Sequence, residues 1–392
     1  MVLKFPDHFL WGTSTAAAQV ETATLHQWKG LKAKDGYIFE RTTDHELRRS
    51  EDVQYIKEFG SMYRCSLDWS RLQSEAFADF NEEVIQEYQT FFADLKDEGM
   101  EIMFVIHHFL NPIWFEEAGS WLKEDNIPAF IDFAYQCIEH FGEYVANWNT
   151  FNEPNVYCMN GFMLGNFPPH KKSYFKATRA KRHMAMAHNI VYDMIKEKYP
   201  DHPIGISLNT ATFKAMNPLG YLAAKFTDWW FIDHTAKLFE KVDYCGLSYY
   251  AYVPFNPFPI TEVANPGKLA KMKIPHDKLW GYYPEGFGQI MRRIHKKYGL
   301  PIIITENGIC TDDQKIRIES IKDYMKVCHE VIEEGIPLIG YMHWSTWDNF
   351  EWDLGPTYRF GLVHVDLDTM NREMTDAGRF YAQITKTNEV KI

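Results

Sequence analysis

A chain of 392 residues, 46% hydrophobic and 24% charged, has the composition and length of a globular protein with a large core. Its formal net charge of −12 argues against nucleic acid as a partner. No run is long and apolar enough to cross a bilayer, so no membrane partner is expected.

Short apolar runs alternate with amphipathic helical patterns from end to end. The runs are FLWGTSTA, SMYRCSL, EIMFVIHH, NWNTFNEP, PIGISLNT, DYCGLSYY, PIIITENG and PLIGYMHWST. Continuous apolar runs predict strands buried on both faces, as in a parallel sheet. Between them, Val84, Ile85, Tyr88, Phe91, Phe92 and Leu95 recur at helical spacing before Gly99. Ile321, Tyr324, Met325, Cys328, Val331 and Ile332 do the same before Gly335. Pro128 suits the first turn of a helix over 128–145, and Pro200 ends one. The basic stretch from Lys176 to His183 reads as a solvated helix face, and 251–286 reads as one long loop. The expected fold is α/β, a single (β/α)8 barrel occupying residues 1–392 as one catalytic domain. A doubly wound sheet competes, but no GxGxxG or Walker motif follows any strand.

The six cysteines, Cys65, Cys137, Cys158, Cys245, Cys310 and Cys328, stand singly without CxxC spacing. Free thiols and a reducing, cytoplasmic location are expected. Pro6, Asp7, His8 and Gly12 interrupt the apolar core that a signal peptide needs.

Polar residues close three of the apolar runs: His107-His108, Asn152-Glu153-Pro154 and Thr305-Glu306-Asn307-Gly308. In a barrel these strand ends converge on one mouth. A lone Glu at a strand end is usually an ion-pair partner or helix cap. Two, on strands four and seven, each beside an Asn, suit the paired carboxylates of glycoside hydrolysis. Adjacent strand residues point to opposite faces, so His108 is expected to face the mouth and His107 to pack outward, which argues against a metal pair. The 16% aromatic content fits either core packing or a sugar-binding cleft.

Together FLWGTSTAAAQVE, YRCSLDWSRL, HHFLNPIWFEEAGSWL, TFNEP, WGYYPEG, ITENG and HWSTWDNFEW resemble the glycoside hydrolase family 1 β-glycosidases from Phe5 to near the C-terminus. The resemblance implies Glu153 as acid/base and Glu306 as nucleophile. It implies Gln19, His108, Asn152 and Glu351 as hydroxyl-binding residues, Trp344 and Trp352 as walls of the sugar subsite, and Arg64 and Tyr250 as partners of the nucleophile. Arg64 and Tyr250 should keep Glu306 ionised. It further implies hydrolysis of β-D-glucosides and related galactosides or fucosides with retention, with no metal or organic cofactor and a small-molecule or oligosaccharide β-glycoside as partner. Ser248 departs from the usual Asn, Thr22 from the usual Gly, and the chain is short after Glu21 and before VDYCGLSYY. Ser248 leaves a 6-phospho-β-glycosidase as the rival reading; an ionised Glu351 would oppose it. A non-catalytic sugar-binding relative would be expected to lack one of the two glutamates. Oligomeric state, aglycone, and hydrolysis against transglycosylation are open at this level.

Overall fold

The computed structural model describes residues 1–255 and 266–392, Leu219 and Phe255 by backbone alone. Eight parallel strands form a closed barrel in sequential order: β1 (Leu10–Ser14), β2 (Met62–Ser66), β3 (Glu101–His107), β4 (Val145–Asn152), β5 (Ile204–Ala215), β6 (Tyr244–Phe255), β7 (Ile302–Asn307) and β8 (Leu338–Trp344). β8 closes on β1 through Leu10–Gly340 to Ser14–Trp344 pairing. Each strand coincides with one of the eight apolar runs, because a strand covered by helices outside and side chains inside has no wet face.

The helices bury the predicted stripes. In the helix Glu82–Asp97 the buried residues are Val84, Ile85, Tyr88, Phe91, Phe92 and Leu95, and Asn81 caps the first turn by accepting from Glu83 and Val84. Asp313 caps the helix Gln314–Glu333 in the same way. Inside the barrel, Met62, Met103, Tyr244, Ile303 and Met342 form a cluster separate from the main core. Alternation along a strand places Arg64 and Trp344 two residues further on, on that inner face, nearer the C-terminal mouth. The ends of the chain meet in an antiparallel ribbon of Val2–Lys4 with Glu389–Lys391.

Three expectations change. The helix at Pro128 runs Ile127–Phe141, shorter than expected, and a 3-10 turn precedes β4. The stretch 251–286 is not one loop: β6 continues to Phe255, helices occupy Pro266–Lys271 and begin again at Pro284, and 256–265 lies outside the described residues. The basic stretch is not wholly solvated, because Lys181 is buried, with its Nζ bonded to Trp230 O at 2.8 Å and Thr235 Oγ1 at 3.0 Å.

Candidate active site

Glu153 directly follows β4. Its φ of 40° and ψ of 55° put it in the left-handed region, which a non-glycine residue before proline occupies only when its surroundings hold it there. Its N–H donates to Ser207 O at 2.8 Å, its carbonyl accepts from Tyr157 N at 3.0 Å, and Pro154 starts the short helix Pro154–Cys158. That kink turns the carboxylate into the barrel. Glu306 reaches the mouth by another route. Strand pairing slips between Leu247 and Ser248 on one side of β7 and between Ile304 and Asn307 on the other, and such irregularities re-aim side chains next to active sites.

Glu306 is held by two donors. Arg64 Nη1 donates to Oε1 at 2.7 Å and Tyr250 OH to Oε2 at 3.0 Å. Arg64 is itself fixed by Ser14 Oγ at 2.8 Å, Asn152 Oδ1 at 2.6 Å and Ser207 Oγ at 2.9 Å. Glu153 Oε1 accepts from Asn209 Nδ2 at 2.7 Å. Both carboxyls are buried. Burial, then the charge of Glu306, pushes Glu153 up to about 8. Burial pushes Glu306 up too, opposed by the Arg64 guanidinium and the Tyr250 hydroxyl. The two carboxyls therefore have unequal surroundings, and the one beside the cation loses its proton first.

Around the pair lie the other residues singled out from sequence. Gln19 Nε2 donates to Asn349 Oδ1 at 3.0 Å, Phe350 O at 3.0 Å and Glu351 Oε2 at 3.3 Å, leaving its Oε1 buried without a protein partner. Asn152 Nδ2 donates to His108 Nε2 at 2.8 Å, so the His108 proton sits on Nδ1, which also lacks a protein partner. Burial and the nearby Arg64 charge hold His108 far below the usual imidazole range, so its 3.7 Å approach to Glu306 is not an ion pair. His107 packs outward, bonded to Asn111 Oδ1 at 2.9 Å and surrounded by Trp121, Phe130, Phe151 and Tyr157. The rings of Trp344 and Trp352 lie 5.8 and 6.0 Å from His108. Trp352 is fixed in turn by Trp28 and Phe109.

The expectation of an ionised Glu351 needs correcting: burial, then the Glu306 charge, pushes its carboxyl up to about 8, which favours the protonated form near neutrality. Ser248 Oγ is buried near Glu153, close enough to ease its ionisation but outside hydrogen-bond geometry. At the other departure, Thr22 N–H donates to Glu46, and the preceding Glu21 is buried among Arg49, Arg71 and Tyr88 in an ion-pair network. Asn209, Ser14 and Ser207 were not singled out from sequence. Asn209 closes the polar end of SLNT, the signal that marked Glu153, but β5 runs on to Ala215 and hides it. Among the described residues, no group of three or more His, Cys, Asp and Glu is arranged to hold a metal ion.

Known proteins share this architecture. The family description Glycosyl hydrolase family 1 matches residues 1–220 and 223–390. The chain is 29% identical to Beta-glucosidase A of Thermotoga maritima over 444 aligned positions, covering 99% of each chain. That alignment is longer than this chain, so segments of that relative have no counterpart here. It is 28% identical to a 6-phospho-beta-galactosidase of Streptococcus equi subsp. zooepidemicus, covering both chains fully. In three dimensions it matches the Thermotoga maritima beta-glucosidase in complex with deoxynojirimycin, with a TM-score of 0.90 at 27% identity over 99% of this chain and 100% of the other. It also matches a beta-glycosidase from Pyrococcus horikoshii, with a TM-score of 0.89 at 29% identity over 100% and 97%. With a closed eightfold barrel, two buried glutamates at the C-terminal ends of its strands and a family match over nearly its whole length, this chain belongs to glycosyl hydrolase family 1.

Proposed function

We propose that the protein is a retaining β-glycosidase acting on β-D-glucosides and related β-glycosides, with residues 1–392 working as one catalytic domain. The reading rests on the unequal surroundings of the two carboxyls. Glu306, gripped by Arg64 and Tyr250, is the ionised group that attacks the anomeric carbon. Glu153, raised to about 8, carries the proton that leaves with the aglycone oxygen. The bond from anomeric carbon to leaving oxygen breaks as the bond to Glu306 forms. Glu153, now a carboxylate, then takes a proton from water as that water displaces Glu306.

Gln19, His108, Asn152 and Glu351 hold the sugar hydroxyls. The unpartnered Gln19 Oε1 accepts and His108 Nδ1 donates, while a protonated Glu351 can do either. Trp344 and Trp352 supply flat apolar walls. The substrate is a small-molecule or oligosaccharide β-glycoside, and the chemistry calls for no metal or organic cofactor. Six free cysteines suit a cytoplasmic setting, and no described helix is long and apolar enough to cross a membrane. The test follows the first-formed sugar from an aryl β-glucoside by proton NMR. The β-anomer should appear first, the outcome of the covalent route that retaining enzymes run with carboxyls about 5–5.5 Å apart; an initial α-anomer would overturn the covalent mechanism.

A second reading, a 6-phospho-β-glycosidase, draws on Ser248 and on the protonated state of Glu351 near neutrality.

A further inference from the structure

Charge is unevenly placed along this chain. Between Pro154 and Tyr192 there is no Asp or Glu, yet Lys171, Lys172, Lys176, Arg179 and Arg182 fall there, in a protein of net charge −12. All five are exposed, and of the cations there only the intervening Lys181 is buried. They lie before and along the first turns of the helix Tyr174–Lys198, whose opening residues Tyr174 and Phe175 are 36% and 80% exposed. The helix Pro218–Asp228 and the turn after it add Tyr221, Leu222, Phe226 and Trp229, at 50%, 72%, 52% and 46% exposure. These belong to one patch. The Tyr174 ring lies 5.8 Å from Phe175 and 6.1 Å from Phe226, Phe226 lies 5.8 Å from Trp229, and Lys225 Nζ sits 4.6 Å over Tyr221.

We propose that this face docks on the surface of an anionic lipid bilayer. Protruding Phe and Leu side chains fringed by lysine and arginine suit the interface, where apolar groups enter the headgroup layer and cations meet acidic lipids. The aliphatic stems of the lysines can lie along the apolar surface while their ammonium groups reach the phosphates. A second copy of the chain is a poor occupant, because a twofold contact sets the same cations against each other. A sugar polymer would use the flat rings but not the exposed Leu222 or the cations. Both helices follow the C-terminal ends of barrel strands, the end that carries Glu153 and Glu306, so docking brings the mouth close to the headgroups. This is peripheral attachment and involves no spanning segment.

The full chain should sediment with phosphatidylcholine vesicles containing phosphatidylserine and stay in solution with phosphatidylcholine alone, and high salt should release it. F175S/L222S and K172E/K176E/R179E should each weaken that binding at least about tenfold, since each cation near an acidic surface contributes about fivefold. Hydrolysis of a soluble aryl glucoside and the melting temperature should be unchanged in both. Absence of binding to either vesicle, equal binding to both, or variants that bind like the parent would overturn the proposal. So would light scattering that shows a dimer abolished by F175S/L222S.

Discussion

Replacing Tyr250 with Phe removes one hydroxyl from the pocket and leaves the ring in place between Trp280 and Phe360. The lost hydroxyl donates to Glu306 Oε2 at 3.0 Å and is held as a phenol by burial and the surrounding carboxylates. A hydrogen bond to a charged group contributes about 1.5–3 kcal/mol. That stabilisation belongs to the ionised form of Glu306, so losing it raises the carboxyl's pKa by ~1–2 units at 1.36 kcal/mol each. In kcat/KM the acidic limb reports ionisation of the free enzyme's nucleophile and the alkaline limb reports loss of the proton from its acid. Tyr250→Phe should therefore move the acidic limb to higher pH by about 1–2 units. The alkaline limb should stay, because Glu153 keeps its Asn209 partner and Glu306 is still charged at high pH. The assay is the pH profile of kcat/KM on an aryl β-glucoside. An unmoved acidic limb, or movement of the alkaline limb alone, would show that the carboxyl beside Tyr250 is not the one that must be ionised.

Glu153→Ala should lose about 10²–10⁴ in rate on substrates with poor leaving groups. With a good leaving group it should form the glycosyl-enzyme and stall, and azide should restore turnover as the β-glycosyl azide; normal hydrolysis of alkyl glucosides would reject the assignment. Preference for β-glucoside over 6-phospho-β-glucoside should widen as pH rises through about 8, where Glu351 ionises. Two like charges about 4 Å apart repel by roughly 4 kcal/mol at an effective dielectric near 20, a discrimination of several hundredfold. Preference for the phosphorylated substrate across that range would favour the second reading. Lys181 is lowered to about 7 by burial, so folding penalises its charged form. Its unfolded form binds more protons between about 7 and its ordinary range, and stability should rise with pH through that window. Lys181→Met should flatten that rise in thermal melts, and an unchanged slope would show that the lysine is charged in the fold.

The eight strands were legible because burial on both faces leaves an unbroken apolar run, and each run terminates where its polar residues reach the mouth. Glu153, Glu306, His108 and Asn152 were visible for that reason. The resemblance of the surrounding motifs supplied Arg64, Tyr250, Gln19, Glu351 and the two tryptophans, which strand ends alone would not have singled out. Asn209 stands in the polar end of PIGISLNT, the same kind of signal, but as a neutral amide without a carboxylate beside it, in a strand that runs on to Ala215, it was not singled out. The basic stretch from Lys176 to His183 looked like an ordinary solvated face, since nothing local shows that the exposed rings of a second helix, some fifty residues on, lie against it.

What the sequence by itself determined was periodicity and the identity of the groups: an alternating α/β chain with two carboxylates at strand ends. What only the tertiary structure decided was the protonation of those groups. Glu306, Glu153 and Glu351 are the same side chain with the same ordinary pKa. They differ because Arg64 and Tyr250 reach one, Asn209 reaches another, and burial raises all three, and these are distances between residues far apart in the chain.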